Sequence, residues 1–136
     1  MDTKYFEKIR IFDGGMGQEL LSKGLISKGT LWSASALIER EFHKLVIDAH
    51  MSYINAGADI IVTNNFSARK IRFIQNKVLD KFQYANEQAG ILANKAREIS
   101  KQNILIAGSL PSQSDTYVED ERSSSEIQSD FEEQAK

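Results

Sequence analysis

At 136 residues the chain has the length of a single domain. It is 41% hydrophobic and 26% charged with a net charge of −2, which excludes a strongly basic nucleic-acid binder and a polyelectrolyte tail. It contains no Cys, which removes disulfide scaffolds, Cys-ligated metal sites and thiol nucleophiles from within this chain. No apolar run approaches the roughly 18 residues of a membrane span, and the opening Met1-Asp2-Thr3-Lys4-Tyr5 carries no apolar signal segment. A cytoplasmic protein with neither membrane nor nucleic acid as partner is the expectation.

Along the chain, residues 9–12 (IRIF) form the first short run rich in β-branched residues and predict a buried strand. A helix follows near Met16. Phe42, Leu45, Val46, Ala49, Tyr53 and Ile54 then fall on one helical face, and Gly57 is suited to end that helix in the left-handed region. Residues 59–63 (DIIVT) predict a second strand. Phe82, Ala85, Ala89, Leu92, Ala93, Ala96 and Ile99 mark a second long helix, and residues 103–107 (NILIA) a third strand. Residues 112–136 hold 2 basic and 8 acidic groups and read as an acidic loop leading into a final helix. Within it, Ser123 followed three positions later by Glu126 forms a capping-box pattern. Strands separated by helical crossovers pair in parallel, and strands apolar on both faces agree with a sheet covered on both sides.

In parallel α/β proteins ligands gather at the carboxyl ends of strands. Three such ends are polar or Gly-rich: Asp13-Gly14-Gly15-Met16-Gly17, Thr63-Asn64-Asn65-Phe66-Ser67 and Gly108-Ser109-Leu110-Pro111. Asp13 is the acid at this rim. It can receive a substrate ammonium or act as a base, or it can simply cap the helix near Met16. Thr63 and Asn64 can likewise serve a ligand or a turn. The Gly segment is neither a Rossmann fingerprint nor a phosphate loop. His43 and His50 share a helix face without a third ligand and read as structural. Trp32 reads as a core anchor, with a stacking platform as its alternative.

These residues also carry a resemblance. Asp13-Gly14-Gly15-Met16-Gly17-Gln18-Glu19-Leu20 and Leu31-Trp32-Ser33-Ala34 are similar to motifs of the homocysteine S-methyltransferase family. So are the blocks from His50 through Ala56-Gly57-Ala58-Asp59 to Phe66, and Ile106-Ala107-Gly108-Ser109-Leu110-Pro111. The resemblance implies a (β/α)8 TIM barrel, which typically takes about 250 residues. The three βα units here would be the N-terminal portion of one such domain, spanning residues 1–136 with 112–136 as its acidic loop and last helix. It implies methyl transfer from a donor to the thiol of homocysteine, forming methionine. It implies substrate-binding roles for Asp13, Gly14, Thr63, Asn64 and Phe66. The family's thiolate-activating zinc is held by cysteines of later strands. This chain has none, so zinc is not expected to bind it, no catalytic residue is assigned, and the chain alone is expected to be inactive. The alternative is a non-catalytic α/β module acting by association with another chain. Exposed strand edges predict self-association in either case.

Overall fold

The computed structural model describes residues 3–114 and 119–135. Its sheet contains β1 (Ile60–Val62) and β2 (Leu105–Ala107), paired in parallel with Ile60, Ile61 and Val62 opposite Leu105, Ile106 and Ala107. Helices precede, connect and follow the strands: α1 (Met16–Ser22), α2 (Ser35–Ile38), α3 (His43–Asn55), α4 (Lys70–Gln75), α5 (Phe82–Ser100) and α6 (Ser124–Ala135). Short 3-10 turns at Thr3–Glu7, Gly29–Ala34, Arg40–Phe42 and Leu79–Lys81 complete the described elements.

The two long helices form where the apolar spacing places them. α3 buries Val46, Ala49, His50 and Ile54, and α5 buries Ala85, Ala89, Leu92, Ala93 and Ala96. The small alanine face lets α5 lie close to its neighbours, where Leu92 and Ala89 join a core with Leu20, Leu37, Val46 and Phe73. A second cluster of Ile54, Ile61, Ala93, Ala96 and Ile104 joins both long helices to the sheet. Gly57 ends α3 at φ +100, while the Gly57 and Ala58 amides donate to the Ile54 and Tyr53 carbonyls. A residue with a Cβ would strain that turn. α5 ends on Lys101 in the left-handed region (φ 55), a stop that no Gly announces.

The expected strand at 9–12 is a correction. Only Phe12 bridges to β1, opposite Ile60 and parallel to it. The Ile11 carbonyl and the Asp13 amide still bond to the β1 backbone, but the Ile11 amide donates to the Asp59 side chain at 2.9 Å instead of to a strand. The segment meets β1 on one side, and Ile9 is 96% exposed. Strand character needs a neighbour as well as an apolar run. α2 and α4 were not legible in the sequence.

The capping box forms as expected. The Ser123 amide donates to Glu126 Oε2 at 2.9 Å, and the Glu126 amide reaches back to Ser123 Oγ at 3.4 Å. The acidic segment is engaged with the body of the domain. Lys70 on α4 pairs with Asp130 and Glu133, and Arg122 pairs with Asp120 and Asp130. Gln134 is buried and donates to the Asn65 and Ala68 carbonyls at 3.0 and 3.3 Å. Residues 115–118 of the expected acidic loop lie outside the described residues.

Candidate functional site

A cleft of about 320 Å³ opens at the carboxyl end of β1. Asp13, Gly14, Thr63, Asn64 and Phe66 all line it, together with Trp32 and Ser109. Two chain segments some fifty positions apart are brought together by the pairing of Phe12 with Ile60. Gly108 lies beside a neighbouring hollow that it shares with Thr63, and Ser109 borders both.

Asp13 does not cap α1, whose N-cap is Gly15 with no side-chain bond. Asp13 Oδ2 instead accepts the Val62 amide at 2.9 Å, so its carboxylate is pinned across the end of β1. Burial pushes its pKa above the ordinary 3.8, and the bonds from the Val62 and Asp13 amides oppose that rise. Among the described residues no cationic side chain pairs with it. A half-buried carboxylate without a counter-charge at the mouth of a cleft is suited to a cationic ligand group. Next to it, the Gly14 and Gly15 amides donate no hydrogen bond among the described residues. Gly14 sits under Tyr53, where a Cβ would come to 3.0 Å from Cε1. That close approach fits Gly. Burial is the main cause that raises the Tyr53 pKa, and the acids Glu19 and Asp13 add to it.

The remaining residues divide their duties. The Thr63 hydroxyl donates to Asn65 Oδ1 at 2.7 Å, so its lone pairs, and not its proton, face other partners. Asn64 is buried and donates to the Ser33 carbonyl at 3.1 Å, which ties the Trp32–Ser33 segment to the end of β1. The Phe66 ring is 53% exposed and forms an apolar wall.

Trp32 corrects its expected place as a core anchor. It is 39% exposed, lines the cleft, and has φ 46 and ψ −122, a left-handed conformation that costs a bulky residue energy. A positive φ cannot be read from one sequence, and Leu31-Trp32-Ser33 looks like any amphipathic turn. Its neighbours are held firmly. Ser33 Oγ and the Ala34 amide both bond Ser67 Oγ, at 2.8 and 3.0 Å.

The two histidines differ. His43 Nε2 bonds the Leu37 carbonyl at 2.9 Å, while His50 is fully buried with neither ring nitrogen hydrogen-bonded. Burial lowers the His50 pKa from 6.5 to about 4, which keeps the ring neutral. Among the described residues no group of three or more His, Cys, Asp or Glu is placed to hold a metal ion, and the chain has no Cys. The residues present do not make a zinc site.

An α/β protein with parallel strands and a cleft at their carboxyl ends is the class that fold and site define. The sequence matches the homocysteine S-methyltransferase family model over residues 10–136, and the chain belongs to that family. It is 32% identical to the homocysteine S-methyltransferase of Escherichia coli (strain K12) over 115 residues, covering 76% of this chain and 35% of that protein. It is 39% identical to homocysteine S-methyltransferase 1 of Zea mays over 64 residues, covering 47% of this chain and 19% of that one. The crystal structure of the homocysteine methyltransferase MmuM from Escherichia coli, in its metallated form, superposes with a TM-score of 0.79 at 27% identity. That match covers 98% of this chain and 51% of MmuM. The chain thus spans about half the length of that structure and a smaller share of the curated relatives. No described helix is long and apolar enough to cross a membrane.

Proposed function

We propose that the cleft binds the amino-acid end of homocysteine and that these βα units are the N-terminal part of a (β/α)8 barrel whose whole performs methyl transfer to the homocysteine thiol. Asp13 receives the ammonium group. The Gly14 and Gly15 amides meet the carboxylate, Phe66 covers the side-chain methylenes, and Thr63 and Asn64 hold the end of β1 in shape. The observation that carries this reading is the uncompensated Asp13 carboxylate, fixed by the Val62 amide and facing a cleft in a member of this family. Methyl transfer itself needs an activated thiolate, which zinc supplies when bound. The residues for that step are not among those of this chain, so residues 1–136 alone bind substrate without turning it over.

Calorimetric titration with L-homocysteine, and with its analogue lacking the amino group, tests the ammonium role. Asp13→Asn weakens homocysteine at least tenfold, the scale of a lost charge-assisted hydrogen bond, and leaves the des-amino analogue unchanged. An equal loss for both ligands overturns the assignment.

A second reading, association with a further copy of the chain, is favoured by the outer edge of β2. Among the described residues β2 has a strand partner on one side only. A free edge is a template for pairing.

A further inference from the structure

Gly17 is the second residue of α1 and is buried. A Cβ placed there would lie 2.7 Å from both Trp32 Cη2 and Cζ2 and 3.1 Å from Cε2. Those atoms belong to the outer ring of the indole, which therefore rests directly on the α1 backbone. Under such a clash something must move, and the surroundings decide what. The backbone after Trp32 is pinned by Asn64 Nδ2, which donates to the Ser33 carbonyl, and by Ser67 Oγ on Ser33 Oγ and the Ala34 amide. α1 is anchored by Leu20, which is fully buried in the core. The indole, 39% exposed and open to the cleft, is the part with room to rotate.

We infer that Gly17 is a positioning residue that sets the width of the cleft: its missing side chain leaves the space in which the Trp32 indole lies, and any side chain at 17 drives that indole off α1 and into the space for ligand. This rests on the homocysteine reading for the identity of the ligand, but not for the geometry. Local helix preference opposes the choice of Gly, because Ala is the better helix former inside α1. Room for the indole gives the position a reason to remain Gly.

Trp32 is the sole tryptophan of the chain, so its fluorescence reports the indole alone. The experiment compares wild type, Gly17→Ala, Trp32→Phe and Gly17→Ala/Trp32→Phe. Gly17→Ala keeps its helical circular dichroism, yet its emission maximum and its acrylamide quenching both shift from wild type without any ligand. L-homocysteine affinity measured by calorimetry falls about five- to tenfold, the scale of a displaced aromatic contact. In the Trp32→Phe background, where the clashing outer-ring atoms are gone, Gly17→Ala costs no further affinity. Emission and quenching unchanged by Gly17→Ala overturn the inference, as does an equal affinity loss from Gly17→Ala in both backgrounds. If the wild type binds no homocysteine, the ligand assignment fails, and the ligand-free fluorescence still decides the role of Gly17.

Discussion

His50 should make the fold less stable in acid. The ring sits on α3 between the buried Val46 and Ile54, one turn away on either side, with no hydrogen bond to either nitrogen. Its pKa falls from 6.5 to about 4 because burial penalises the imidazolium. Between those values the unfolded chain binds a proton that the folded chain refuses. The stability is intact above pH 6.5 and drains away as the pH falls toward 4. The full gap is worth about 3 kcal/mol, of which about 2 kcal/mol is lost between pH 7 and pH 5. In a chain of this size that lowers the melting temperature by roughly 5–10 °C. Asp13 acts in the opposite direction, so the effect is read as a difference between two proteins. His50→Leu fills the site with an apolar side chain and leaves no unpaired nitrogen, which is neutral to stabilising at pH 7. Thermal melts by circular dichroism in dilute solution, taken at steps from pH 7.5 to pH 4.5, should show the wild type falling away from His50→Leu as the medium acidifies. Curves that stay parallel over that range would refute the burial of a neutral, unpartnered ring.

Asp13→Asn should stabilise the protein at pH 7 while weakening the ligand. The raised pKa of a carboxyl means that ionising it costs folding energy. The gain is present at neutral pH and disappears below the ordinary value of 3.8, where Asp13 is already protonated in both states; urea titrations at the two pH extremes measure it. Ser123→Ala should remove about 1 kcal/mol from α6 by abolishing the capping box, seen as faster amide exchange in its first turn. Size-exclusion chromatography coupled to light scattering should find mass above the monomer that rises with concentration; a monodisperse monomer at all concentrations counts against edge pairing. Residues 1–136 with zinc and either betaine or S-methylmethionine should form no methionine from homocysteine by mass spectrometry, and any turnover above background overturns the proposal that this chain lacks the residues for methyl transfer.

What the sequence determined by itself is whatever depends on neighbours a few positions away. The apolar faces of α3 and α5, the stop at Gly57 and the Ser123–Glu126 box are such features, because helix periodicity and capping are local physics. The polar strand ends with Asp13 and Thr63 were legible for the same reason, while Phe66 as pocket lining came only from the family resemblance. The tertiary structure decided the rest. Residues 9–12 have a strand's composition, yet only Phe12 pairs, because β1 meets the segment over so short a length. Asp13 binds the Val62 amide instead of capping α1, a choice between partners 49 positions apart and three or four apart that composition cannot weigh. Trp32 lies against α1 at the border of the cleft because Gly17 leaves room for its ring and because Ser33 is tied to the end of β1. His50 is unpartnered because of what the fold fails to bring near it. Each of these turns on which distant groups share a few ångströms, which is settled only when the whole chain packs.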